Sequence, residues 1–170
     1  FGSDYQKIIK DSNLRLLFID DYGHADHYYA DIVINQNIHA NEDIYPKREP
    51  YTKLLLGARY VLLRREFLLW RGWKREIPEV ARNILVTLGG SDPANVTLKV
   101  IQALSQIENF NVVVVLGGCN IYHEYINSII EDSKSLSLKR NVKNMPELMA
   151  WADLAISSAG TTAWELSFMG

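Results

Sequence analysis

Apolar residues in this chain form short runs set between polar turns, and the runs alternate between strand-like and helix-like spacing. Asp4 to Asp11 reads as a helix and Leu14 to Ile19 as a strand. Asp20 to Tyr29 is a polar loop and Asp31 to Asn35 a second short strand. Ile38 to Lys53 carries two prolines and no clear period, the mark of a loop, while Tyr60 to Leu63 is strand-like. Arg64 to Arg82 mixes charges with Trp70 and Trp73 and reads as a connecting segment with some helix.

From Asn83 the pattern sharpens. Ile84 to Leu88 is a strand, followed by Gly89-Gly90-Ser91-Asp92-Pro93 and a helix from Ala94 to Ile107. Val112 to Leu116 is the next strand, followed by Gly117-Gly118-Cys119-Asn120 and a helix to Ser133. From Gly89 to Gly117 is 28 positions, close to the roughly 30 residues of one βαβ unit. Val112 to Val115 show no alternation, as expected of a strand buried on both faces of a parallel sheet. A strand at Leu136 to Leu138, a helix from Pro146 to Trp151, a strand at Leu154 to Ile156 and a helix opening at Thr161 and Thr162 complete the series. The pattern predicts α/β architecture with Rossmann-like, doubly wound parallel sheets, in parts of two domains.

The last strand–turn–helix carries the most chemistry. Ser157, Ser158, Ala159 and Gly160 let a ligand approach the backbone, and the free N–H groups of a helix start favour an anion. Glu165, expected in the first helical turn, has the wrong sign for a phosphate but suits a sugar diol, which donates two hydrogen bonds. A ribonucleotide site fits these residues. So does a plain strand–helix connection whose Glu complements the helix dipole.

Three other clusters are weaker. Gly89 and Gly90 allow a tight turn, Ser91 or Asp92 can cap the next helix, and Pro93 suits its first turn; the group is either a backbone cradle or a well-capped turn. Asp20, Asp21, His24, Asp26 and His27 could hold a metal or transfer protons, but Gly23 and the position past a strand favour a polar rim, and we assign no metal. Asn35, Gln36 and Asn37 can bond sugar hydroxyls or form a turn.

Composition narrows the classes. The 170 residues are 48% hydrophobic and 22% charged, with 18 Lys+Arg against 20 Asp+Glu, a balance that argues against a general nucleic-acid surface. The single cysteine, Cys119, cannot form an internal disulfide, which fits a reducing cytoplasm. No apolar run approaches the roughly 20 residues of a membrane span. With no starting Met and a last residue, Gly170, where a helix cap would lead onward, the sequence reads as an internal piece of a longer enzyme, truncated at both ends.

Taken in order, Leu17-Phe18-Ile19-Asp20-Asp21-Tyr22-Gly23-His24, Ala30-Asp31-Ile32-Val33-Ile34-Asn35-Gln36-Asn37, Leu56-Gly57-Ala58-Arg59-Tyr60-Val61-Leu62-Leu63-Arg64, Leu88-Gly89-Gly90-Ser91-Asp92-Pro93 and Asn144-Met145-Pro146-Glu147-Leu148 through Ser158-Ala159-Gly160-Thr161-Thr162-Ala163-Trp164-Glu165 resemble one family. It is the PseG family of UDP-sugar hydrolases of the pseudaminic-acid pathway, which includes spore-coat polysaccharide proteins. The resemblance runs over nearly the whole chain.

It implies a two-domain, GT-B-like fold akin to the transferase MurG. Residues 1–66 would be the end of the N-terminal domain, 67–82 a linker, and 83–170 the first part of a UDP-binding domain. Gly89, Gly90 and Ser91 would face the diphosphate or sugar, and backbone near Asn144 and Met145 the uracil. Ser158, Gly160, Thr161 and Thr162 would hold phosphates, with Glu165 on the ribose. Asp21, Asn35 and Gln36 are the sugar-binding candidates. Family members release UDP from a UDP-diacetamido-trideoxy sugar by water attack with inversion, without a cofactor. The family's candidate base is a histidine in a glycine-rich loop that would precede Phe1. None of His24, His27, His39 and His123 matches it, so the catalytic residue is unassigned. A MurG-like transferase and a non-catalytic nucleotide-sugar-binding module are the alternatives.

Overall fold

Val112 to Val115 set the plan of the larger half of the molecule. Their side chains alternate between two apolar layers, so the strand that carries them is buried on both faces. The computed structural model describes residues 1–170, which divide into two units, Phe1–Leu62 and Leu63–Gly170.

In the second unit β4 (Asn83–Thr87), β5 (Asn111–Leu116), β6 (Leu136–Arg140) and β7 (Leu154–Ser157) form a parallel sheet in the order β6-β5-β4-β7. The register pairs Val86 with Val114 and Ile156. Ile84, Val86, Val112, Val114 and Leu116 point toward α2 (Val96–Leu104) and α3 (His123–Ile130), where Ile101 and Ile126 are fully buried. Leu85, Val113 and Val115 point to the other face, against α4 (Met145–Trp151) and α5 (Thr161–Met169). This is the doubly wound arrangement expected from the sequence: both faces of the sheet are roofed by helices.

Residues expected to link the domains contribute to the second face. A 3-10 turn at Arg65–Trp70 inserts the fully buried Phe67 beside Leu85, Met149 and Met169. Trp70 and Trp73 meet edge to face at 5.4 Å on the same cluster. Arg75 donates to the carbonyls of Met149 and Ala152, which lack partners at the end of α4. The segment therefore straps this unit.

The first unit is smaller and depends on loops. Its α1 (Ser3–Asp11) precedes a parallel sheet of β1 (Leu17–Ile19), β2 (Ile32–Asn35) and β3 (Lys53–Leu56), in that order. Lys10 bonds both oxygens of Asp31 at 2.8 Å, and the buried Gln6 accepts from the N–H of Tyr29 at 3.1 Å, which ties α1 down. The apolar core is Phe18, Tyr28, Ala30, Val33 and Tyr45.

Two expectations are corrected here. The third strand is Lys53–Leu56, on residues read partly as loop, and not Tyr60 to Leu63. Gly57, at φ +89°, ends it, and a 3-10 turn at Ala58–Tyr60 follows. Tyr60 to Leu63 has strand-forming side chains but no partner strand, and pairing decides. The second correction concerns α2, which begins at Val96, so Pro93 lies in the turn before the helix.

Candidate functional site

In the second sheet the chain steps outward from β4 to β5 and β6, then returns to add β7 on the other side of β4. Strand order thus reverses between β4 and β7, and open α/β sheets bind ligands outside the carboxyl ends of strands at such a point. The turn after β4 is Leu88-Gly89-Gly90-Ser91, and the turn after β7 is Ser158-Ala159-Gly160. The two expected phosphate turns are therefore neighbours. A Cβ built on Gly89, at φ +90°, would stand 3.5 Å from the Ser158 hydroxyl.

The two helices that leave these turns differ. The start of α2 is occupied by Asp92, which sits in a left-handed conformation at φ +39°. Its two oxygens accept the N–H groups of Val96 and Thr97 at 2.9 Å each. Burial pushes this carboxyl up, but the bonds from Thr97 and Val96 outweigh it and hold it below its ordinary value. The start of α5 has no side-chain cap. Gly160, at φ +141°, brings the chain into the helix, and Ser158, Gly160 and Thr161 are exposed around it. The free N–H groups and the helix dipole at this terminus suit an anion.

Glu165 lies in the second turn of α5, not the first as expected, because the helix begins at Thr161. Only 5% of the residue is exposed. Both of its oxygens accept hydrogen bonds from Arg64, Oε1 from Nε at 2.7 Å and Oε2 from Nη2 at 3.1 Å. The guanidinium also meets Glu66 at 3.1 Å and lies over the Phe67 ring, 5.4 Å from its centroid. Its hydrogen bonds to Glu165 hold it protonated even more firmly than usual. Sequence reasoning missed Arg64. The partners are 101 positions apart, and no local pattern joins them.

Asn144 and Met145 open α4. Asn144 is exposed and donates to Glu147 Oε2 at 2.8 Å, while the Met145 side chain packs into the core with Val113 and Val115. Only the backbone of Met145 is left for a ligand.

The remaining candidates lie in the first unit, at the carboxyl ends of β1 and β2. Asp20 is 3% exposed. It accepts from the N–H groups of Tyr22, Gly23 and His24, from the His24 ring at Nδ1 (2.9 Å) and from the Tyr28 hydroxyl. Burial pushes the Asp20 carboxyl up, and the Tyr28, Tyr22 and His24 bonds more than offset this, so its pKa lies below the ordinary value. Asn35 is fully buried and gives its amide to the Asp21 carbonyl and the Tyr45 hydroxyl, while its oxygen takes both nitrogens of Asn37. The half-buried Asp21 has one oxygen, Oδ1, without a partner. Gln36 accepts the N–H of Leu62 at 3.1 Å. His24 and His27 do not converge, since His27 bonds Glu49 at 3.0 Å.

No helix is long and apolar enough to cross a membrane. Residues 83–170 match the family model of the glycosyltransferase family 28 C-terminal domain. Two curated proteins are similar over almost the whole chain. An uncharacterized protein of Methanocaldococcus jannaschii is 35% identical over 98% of this chain and 36% of its own length. The spore coat polysaccharide biosynthesis protein SpsG of Bacillus subtilis is 27% identical over 97% of this chain and 49% of its own. The chain thus spans between a third and a half of the length of these relatives. Two parallel sheets, a reversed strand order at the second and the matched model agree: the chain belongs to the glycosyltransferase family 28 C-terminal domain family and has a GT-B-like α/β fold.

Proposed function

We propose that the second unit binds UDP and that the protein is a nucleotide-sugar hydrolase of surface-polysaccharide or nonulosonic-acid (pseudaminic) biosynthesis. One observation carries the reading: at the reversal of strand order, a glycine turn faces the small-residue turn that opens an uncapped helix. In this reading the diphosphate lies against Ser158, Gly160, Thr161 and Thr162 and is flanked by Gly89, Gly90 and Ser91. The uracil meets backbone at Asn144 and Met145, and Glu165 takes the ribose hydroxyls. Asp21 and Gln36 are the sugar candidates, with Asn35 shaping their loop. The relative named for spore coat polysaccharide biosynthesis supports the pathway.

Water attacks the anomeric carbon as the bond to the UDP oxygen breaks. The electron pair leaves with UDP, a base takes the water proton, and the configuration inverts. The start of α5 stabilises the charge that develops on the departing diphosphate. The family model favours a second reading, in which an acceptor hydroxyl replaces water.

Calorimetric titration of UDP against ADP, with Glu165→Ala alongside, tests the site. We expect UDP to bind more tightly than ADP, and Glu165→Ala to weaken UDP about tenfold, the loss of roughly one charge-assisted bond. Equal affinity for both nucleotides, or none, rejects the site. Incubating the protein with a UDP-diacetamido sugar and no acceptor separates the reactions, because only a hydrolase then releases UDP.

A further inference from the structure

Arg64 stands one residue inside the second unit, and no expectation from the sequence gave it a role. Its fork grips both oxygens of a carboxylate that is otherwise almost fully buried, while half of the Arg64 side chain is itself exposed (45%, against 6% for Glu165). The guanidinium thus holds both oxygens of this carboxylate from a position that is itself half-exposed. A carboxylate presents one side-on pair of acceptor positions spanning its two oxygens, and this is where a guanidinium fork binds. A cis-diol that donates one hydrogen bond to each oxygen from the same side uses the same pair. The two donors cannot occupy it together.

We propose that Arg64 is a latch on Glu165, released when a ribose diol takes its place; this rests on the reading of the second unit as a ribonucleotide site. The latch has somewhere to go. Glu66 already pairs with the guanidinium, and the Phe67 ring supports it from below, so releasing Glu165 leaves the cation partnered. Glu165 in turn exchanges two donors for two donors, so both of its oxygens stay hydrogen-bonded. A plain strut between the 65–70 turn and α5 would show the same distances but the opposite response to loss of Arg64. Removing a strut loosens the site, whereas removing a latch opens it.

The test titrates UDP and 2′-deoxy-UDP into this chain and into Arg64→Met, which keeps an apolar stem over Phe67. The latch predicts that the variant binds UDP about fivefold tighter, the scale of one partly exposed ion pair. The 2′-deoxy compound, which lacks one of the two competing hydroxyls, gains less. Binding detected only in the variant also supports the latch. Unchanged or weaker UDP binding by a variant with native circular dichroism overturns it. If the variant does not fold, the Arg64 Nε–H signal of the unaltered chain decides. A shift or faster solvent exchange on saturation with UDP supports release, and an unmoved signal overturns it. If UDP binds neither protein, the nucleotide reading has failed and the latch falls with it. If UDP binds both equally, only the latch has failed.

Discussion

The carboxyl edges of the two sheets are built in opposite ways. In the first unit side chains close the edge. Asp20, Tyr28, Tyr45 and Asn35 are all buried and bond one another or the loop backbone, leaving Asp21 as the acidic group with a free oxygen. In the second unit small residues leave the edge open. Gly89, Gly90, Ser158 and Gly160 are exposed, and α5 starts without a cap. The cores differ in parallel. The second sheet is roofed on both faces, whereas Leu17 and Ile19 on β1 are about half-exposed. A unit with few helices must hold its loops with hydrogen bonds, and bonds used internally are lost to a ligand. The unit whose fold is secured by apolar layers can leave its turns bare for binding.

The sharpest way to break this comparison is Asp20→Ala. The change removes a buried acceptor of several hydrogen bonds and leaves the Tyr28 hydroxyl without one, at a cost of about 3–5 kcal/mol. Hydrogen exchange should show the first unit losing protection while β4 and β5 keep theirs. Equal loss in both units would mean that the network is not local.

Next in size is the response to alkali. Burial, aided by the Asp20 hydrogen bond, raises the Tyr28 phenol well above its ordinary pKa. Burial also raises Tyr45, with the nearby Asp20 and Asp21 charges adding to the effect. A phenol raised in the folded state contributes stability that is complete below its unfolded pKa of about 10 and is lost as pH climbs toward the folded value. Protection of the first unit should therefore fall from about pH 10 upward. Leu85, Val86 and Val114, buried in β4 and β5, should hold longer.

A third change tests the open edge. A Cβ on Gly117 would stand 2.3 Å from the Gly90 carbonyl oxygen and 2.5 Å from its Cα. The turn after β5 thus supports the turn after β4 by backbone contact. Gly117→Ala should cost about 1–3 kcal/mol as overpacking and lower UDP affinity by more than it lowers stability. If affinity is unchanged, Gly90 is no part of the site.

These devices were unequally legible in the sequence. The second unit is legible because a doubly buried strand leaves a run such as Val112 to Val115, and Gly89 and Gly117 punctuate it one βαβ unit apart. The first unit is less legible. Pro46 and Pro50 drew the loop reading up to Lys53, and β3 is identified only by its parallel pairing with β2, which no local window contains. At the proposed site the glycine turns and Glu165 stand out in the sequence, but the place of Glu165 in α5 does not, since that depends on where the helix begins. The Arg64 fork was invisible for the same reason as β3: both are long-range contacts.

The smallest effect comes from the amino edge of the second sheet, and it sharpens the comparison most cleanly. Asp153 precedes β7, and its Oδ2 accepts the N–H groups of both Arg82 and Asn83 at 2.8 Å. These two bonds, more than any neighbouring charge, hold the carboxyl below its ordinary value. They pin the entry of β4 to the entry of β7 at the end of the sheet away from the glycine turns. Asp153→Ala should cost about 1 kcal/mol, since the group is accessible to water and water replaces part of what is lost. The carboxyl is held low in the folded state, so its contribution is present above about pH 4 and fades as pH falls through the folded value. The variant and the unaltered chain should therefore converge in acid. UDP affinity at neutral pH should not move, because the proposed nucleotide site lies at the opposite edge. A loss of affinity equal to that of Gly117→Ala would show that the two edges are not independent, and the contrast between a stabilising edge and a binding edge would fail.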